Sequence, residues 1–226
     1  MLLKIEQVHP FVDIHTHNKP SYSSNSIVIR NLQAGEILSD NGRDFFSAGI
    51  HPWQLKQGFL PDLKAQLISM LDHPSIVAIG EAGLDRAIGI NLDLQMQVFE
   101  MQADLAESLH KPLIIHAVRV YPEIIQLKKR MNPSSIWIIH GFAADIEAAR
   151  QLLHHGFMFS VGETLFDSRR KISGVLPLIP HENLFFETDQ SRYTIETIYQ
   201  RAAVLLEISV EDLQSTIFAN FVRCFK

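Results

Sequence analysis

Eight short apolar runs, most of them separated by stretches of helical spacing, constrain this chain more than any other feature. They are "FVDIH" (11–15), "SIVIRN" (26–31), "FFSAGI" (45–50), "SIVAIG" (75–80), "PLIIH" (112–116), "SIWIIH" (135–140), "FMFSVG" (157–162) and "LFFET" (184–188). Val, Ile and Phe dominate them, and Gly, Pro, Ser or Asn stand close to most, which is the pattern of strands. Runs that are apolar at almost every position suit parallel strands covered on both faces.

Helices are predicted between them. In 92–110, Leu92, Met96, Phe99, Ala103, Ala106 and Leu109 recur at three- or four-residue spacing behind a capping Asn91. Segment 61–73 opens with Pro61 at an N1-like position, and 143–155 runs into a terminating Gly156. Segments 121–131 and 194–207 are also helical, a last helix starts from a Ser209 cap, and 168–179 is a shorter one. Eight strands alternating with helices predict a (β/α)8 barrel, the TIM-barrel arrangement. Residues 18–25 are too few to hold a helical crossover, and 33–44 is lean. The barrel is therefore expected to lack or shorten its first outer helix, leaving a flank for a loop or another subunit to cover.

At 226 residues the chain suits one core rather than two, so 1–226 is read as a single domain. A net charge of −5 argues against a basic surface that grips long duplex nucleic acid. The single cysteine, Cys224, excludes an internal disulfide and fits a reducing compartment. The start "MLLKIEQVHPF" lacks the features of a signal peptide, and no apolar run approaches the ~20 residues of a membrane span. A cytoplasmic enzyme or binding protein with no membrane partner is the expectation.

The chemistry sits where the strands stop. Residues two apart on a strand share a face, so His15 and His17 project together. The fourth strand runs into Glu81, the fifth ends at His116, the sixth at His140, and Asp189 stands just beyond the eighth. In a parallel barrel these ends converge on the face where active sites lie. Four imidazoles and two carboxylates suit divalent metal, since both groups offer lone pairs when deprotonated. Any one histidine after a strand is more often a structural residue, and His9, His73, His110, His154, His155 and His181 all have such explanations. Repetition at carboxyl ends separates the six from those. His51, ending the third strand, is on the same face and either binds substrate or shapes the loop at Pro52. Asp85 and Arg86 read as supporting or loop residues, Arg119 as a contact for an anionic substrate, Arg192 as a solvated surface group, and Glu163 as an acid without an assigned partner.

With these residues in place, the sequence resembles the TatD-related metal-dependent hydrolases. The matching pieces are "DIHTH" (13–17), "GIHPW" (49–53), "IGEAGLD" (79–85), "KPLIIH" (111–116), "IIHGF" (138–142) and "FETD" (186–189), with Gln95, Phe99, Gln102, Leu105 and Ala106 on the helix before the fifth strand. They run in the family's order over nearly the whole chain. The resemblance implies a barrel of the metal-dependent hydrolase type with two divalent ions, Zn, Mn, Mg or Fe. His15, His17 and Asp189 would hold one, His116 and His140 the other, and Glu81 both. It further implies cleavage of phosphoester bonds, often in DNA as a deoxyribonuclease or 3′-exonuclease, with single-stranded or 3′-end DNA as partner and His51 near the phosphate. Asp189 and Glu81 are then the catalytic residues of a metal-activated water attack, and His51 and Arg119 bind substrate.

The departures fall on loops. Arg119 follows His116 by three residues where the family has two, "HGFAA" replaces "HCFSG", and "QSRYT" after Asp189 replaces Ala-Pro-Tyr and a longer basic loop. Loops on this face choose the substrate. A metallohydrolase of small esters, lactones or amides is one alternative, although no lysine ends the fourth strand to serve as a carbamylated bridge. A catalytically weak barrel kept for partner binding is another.

Overall fold

The structure is a computed structural model and describes residues 9–18, 25–39, 44–56 and 60–225. Eight parallel strands stand in chain order in one sheet: β1 (Phe11–Thr16), β2 (Ser26–Gln33), β3 (Phe45–Gly49), β4 (Ile76–Asp85), β5 (Leu113–Val118), β6 (Trp137–Ile139), β7 (Met158–Val161) and β8 (Leu184–Phe186). The helices are α1 (Leu60–Leu71), α2 (Leu92–Ser108), α3 (Tyr121–Met131), α4 (Ile146–His154), α5 (Ile172–Val175), α6 (Ile195–Leu206) and α7 (Val210–Cys224). The sheet curls into a nearly closed TIM barrel, as the sequence predicts.

The caps follow from local chemistry. The Asn91 side chain accepts from the N–H groups of Asp93 and Leu94, Thr194 from Thr197, and Ser209 from Asp212. Each satisfies an amide that the first helical turn leaves unpaired. Three boundaries differ from expectation. Helix α4 starts later than residue 143, at an Asp145 cap. Of 168–179 only one turn, α5, is α-helical, with Leu176–Leu178 continuing as a 3-10 turn through Pro177. Strand β4 runs five residues past 80, because glycines let it lie close against β5: a Cβ on Gly83 would meet the His116 carbonyl at 2.0 Å. Glu81 is therefore within the strand, and Asp85 ends it.

Among the described residues, neither β1–β2 nor β2–β3 is joined by a helix; residues 19–24 and 40–43 lie outside the description. The C-terminal helix covers part of the flank this leaves. His9 stacks on Phe218, Phe45 meets Phe221 at 6.3 Å, and Gln214 donates to the His9 carbonyl. The ring is closed at its top, where Asp189 donates to the His15 carbonyl and accepts from the His17 N–H at 2.9 and 3.1 Å. Below that seam, the hydroxyl of buried Tyr199 bonds both the N–H and the C=O of Val12, so the edge of β1 has no orphaned groups there. The hydrophobic core includes Ile14, Ile29, Phe46, Ile114, Ile138, Phe159 and Phe185, all fully buried.

Candidate metal centre

All six predicted ligands meet on the carboxyl side of the barrel, around the carboxylate of Glu81. That side chain is buried, and its two oxygens face different partners. Oε2 lies 3.5 Å from His15 Nε2 and 3.3 Å from His17 Nε2. Asp189 Oδ1 completes that side, 3.8 and 3.6 Å from the same nitrogens. Oε1 lies 2.8 Å from both His116 Nδ1 and His140 Nε2, which are 3.4 Å from each other. His51 Nε2 also approaches Oε1, at 3.2 Å. The donor atoms of His15, His17 and Asp189 form one group compact enough for an ion, and Glu81 joins two more, with His15 and His140 and with His51 and His116.

Outer contacts fix the ring orientations. Asp85 Oδ2 stands 3.3 Å from His116 Nε2, and Glu187 Oε1 stands 3.3 Å from His140 Nδ1. A carboxylate that takes one ring N–H leaves the opposite nitrogen free as a lone-pair donor, and these opposite nitrogens are the ones turned to Glu81. His51 is different. Its Nδ1 accepts from the Trp53 backbone N–H at 3.2 Å, so the proton of the neutral ring is on Nε2, which donates to Glu81. His51 therefore orients the carboxylate rather than offering it a competing lone pair.

The donor set fits divalent metal. Both ring nitrogens of His15 are fully buried and have no hydrogen-bond partner among the described residues, the nearest approach to Glu81 being 3.5 Å. A buried polar atom without a partner costs on the order of 1–3 kcal/mol, and a cation bound at Nε2, the nitrogen facing Glu81 and Asp189, would remove that atom's cost. Charge within the cluster is strongly coupled. Burial works to raise Glu81, yet His140, His116 and His15 hold it well below the usual carboxylate range. Burial opposes protonation of His140, but Glu81 and Glu187 prevail and raise it well above the ordinary imidazole value. The bond to Glu81 also raises His17, whereas burial lowers His51. Burial and the charge of Glu187 push Asp189 up.

The backbone beneath is clamped by side chains. Asn31 Oδ1 accepts from the Glu81 N–H at 2.7 Å and from Ser47 Oγ at 3.0 Å. On α2, Gln102 pairs with both backbone groups of Ile50, and Gln95 with both of Asp85. Three contributors are absent from the sequence reading: Asn31, Asp13 and Glu187. Asp13 is buried, bonds Thr188 through both oxygens, and is pushed up to about 7, burial outweighing those bonds. Glu187 accepts from the Gly141 N–H at 2.7 Å as well as meeting His140. Strand alternation carries the signal for two of them, since Asp13 precedes His15, and Glu187 precedes Asp189, by two residues.

The remaining candidates stay outside the cluster. Arg86 pairs with Glu123 and donates to the Arg119 carbonyl. Arg119 is exposed, and among the described residues its guanidinium has no hydrogen-bond or ion-pair partner. Arg192 is exposed over the ring of Tyr193, and Glu163 is exposed at the start of the 3-10 turn Glu163–Phe166.

With this geometry in hand, comparison with known proteins is informative. A family model described as TatD related DNase matches residues 21–226. The match begins beyond His15 and His17, whose place in the cluster rests on the distances above. The protein named "Uncharacterized metal-dependent hydrolase TatD" from Mycobacterium tuberculosis is 29% identical over 154 residues, 65% of this chain and 58% of that protein. The human "3'-5' RNA nuclease TATDN2" is 32% identical over 147 residues, 62% of this chain and 19% of that protein. The matched stretch thus spans less than two thirds of either relative. The crystal structure of YJJV, a TatD homolog from Escherichia coli K12, superposes with a TM-score of 0.84 over 97% of this chain and 99% of its own, at 20% identity. That likeness is one of fold.

Proposed function

The chain belongs to the TatD-related DNase family of metal-dependent hydrolases, and from that premise we propose that it is a phosphodiesterase acting on nucleic-acid ends, a deoxyribonuclease or 3′-exonuclease in type. The observation that carries this reading is the division of Glu81, one oxygen turned to His15 and His17 and the other to His116 and His140. A single carboxylate between two such sets is suited to two divalent ions. In this reading His15, His17 and Asp189 would hold one, His116 and His140 the other, and Glu81 would serve both. When bound, such ions supply charge stabilisation at phosphoryl oxygens and lower the pKa of water.

The chain's own groups supply the rest. Asp189 has its Oδ1 turned to the imidazoles, leaving Oδ2 to orient a water and take its proton. Its side chain is 43% exposed, so water reaches it. The Arg119 guanidinium, without a partner among the described residues, is a donor for the anionic oxygens of the substrate, and His51, whose Nε2–H is taken by Glu81, borders the same place. No helix among the described residues is long and apolar enough to cross a membrane. RNA is a second substrate reading, favoured by the human relative named as an RNA nuclease.

The test begins with metal analysis of the purified protein, followed by hydrolysis of 3′-labelled single-stranded DNA and RNA with and without chelator. Bound divalent metal and chelator-sensitive release of 3′ nucleotides are expected. Asp189→Asn should lower turnover by about 10²–10⁴-fold with an unchanged far-UV spectrum. Near-normal turnover in that variant, or cleavage of carboxylic esters alone, rejects the assignment.

A further inference from the structure

Trp53 follows β3 in the 3-10 turn Pro52–Lys56 and is 57% exposed, whereas the other tryptophan, Trp137, is fully buried. A solitary exposed apolar side chain is ordinary. This one is held in place by the candidate metal centre. Its indole Nε1–H donates to Asp85 Oδ2 at 2.8 Å, the same buried oxygen that stands 3.3 Å from His116. Its backbone N–H donates to His51 Nδ1, and its ring meets the His51 ring edge-on at 5.3 Å. The only polar atom of the side chain is thus used on the protein side, and the surface left to solvent is aromatic carbon. A ring fixed on two sides loses little freedom when a ligand lands on it.

Resting on the phosphodiesterase reading above, we propose that Trp53 is the stacking platform for the nucleobase attached to the scissile phosphate. Its neighbour His51 touches Glu81, so the platform lies one side chain away from where the phosphate is held, as a base lies one sugar away from its phosphate. A bare aromatic face accepts any base, which makes the site selective for nucleotides over base-free esters and tolerant of sequence. The polar edge cannot read the base, because Asp85 occupies it.

The experiment titrates the metal-loaded protein with deoxyadenosine 5′-monophosphate and with deoxyribose 5-phosphate, following tryptophan fluorescence and affinity. In the wild type the nucleotide should quench Trp53 and bind roughly 5- to 150-fold more tightly than the base-free probe. Trp53→Phe loses the bond to Asp85 but keeps an aromatic face; it should retain most of that preference, and the remaining Trp137 emission should not respond to nucleotide. Trp53→Ala should lose the preference. Metal content of both variants is measured alongside, so that a disturbed centre is recognised. Equal affinity for the two probes in the wild type, or equal loss in Phe and Ala variants of matched metal content, overturns the proposal. If phosphodiester cleavage stands while the preference is absent, the platform alone falls. If neither probe binds and no phosphodiester is cleaved, the functional reading falls and takes the platform with it.

Discussion

The two ends of this barrel both take ionisable groups at least partly out of water, and they do so in opposite ways. At the lower end, the Lys128 ammonium near the C-terminus of α3 donates to the Gly156 carbonyl at 2.7 Å and lies 4.3 Å above the Phe157 ring and 5.7 Å above that of Trp137. Burial pulls it down to about 8, but the group has an acceptor and two π faces. At the upper end, His15 has no partner for either ring nitrogen among the described residues, and four further imidazoles, those of His17, His51, His116 and His140, crowd one carboxylate. The lower arrangement is complete within the chain. The upper one reaches a satisfied state only with something added, and the contrast separates burial for packing from burial for binding more clearly than burial alone.

The comparison can be broken at several points, beginning with the largest expected effect. His15→Ala should remove at least half of the bound metal and nearly all chelator-sensitive activity, while Lys128→Met should leave metal content unchanged. If the two variants behave alike by metal analysis, the distinction drawn here is wrong. Glu187→Gln removes the charge that orients His140 without changing its shape, and should weaken metal affinity about 10–100-fold. Competition titrations with a chromogenic chelator measure this, and an unchanged affinity would limit Glu187 to holding the Gly141 N–H.

A smaller effect sharpens the contrast through pH. His17 is raised by its bond to Glu81, and His140 is raised by Glu81 and Glu187 against the effect of burial, so protons compete for these nitrogens already above pH 6.5. Metal affinity should therefore fall as pH is lowered from about 8 to 6, with proton release on binding seen by calorimetry. An affinity flat across that range would contradict it. At the lower end the sign is reversed. The folded pKa of Lys128 is below the ordinary value of 10.5, so the cost of its charge is fully present below about 8 and fades as pH rises toward the unfolded value. Lys128→Met should lose stability relative to the wild type between pH 7 and 10, by about 1 kcal/mol at most. Denaturant midpoints at the two pH values check the direction.

Much of this architecture is legible from the residues alone, for physical reasons that also mark where reading fails. The apolar runs announce strands because both faces are covered, and Asn91 and Ser209 announce helix starts because their side chains replace missing backbone partners. The histidines and Asp189 are visible because they interrupt apolar runs at one end. Strand β4 is read too short, since "GEAGLD" looks like a turn until β5 is seen lying too close to admit any side chain at Gly83. Asn31 is hidden for a related reason. Its partners, Ser47 and the Glu81 N–H, are distant in sequence, and nothing local distinguishes it from a surface asparagine. The crossovers around β2 illustrate a third kind of limit. Lean spacing leads to the expectation of a missing first outer helix, whose span falls on residues 19–24, outside the described residues, and nothing in it signals that α7 returns from the far end of the chain to pack beside β1 and β3.

The seam between β1 and Asp189 has one more consequence. The same backbone bonds that shut the cylinder also draw His15 and His17, on the first strand, up to Asp189, just past the eighth. A polypeptide still emerging from the ribosome, or clipped before residue 189, therefore has neither the closure nor the full set of donors. Under the proposed function, cation capture would then report that the barrel has closed, and fragments lacking either strand should be silent rather than partly active.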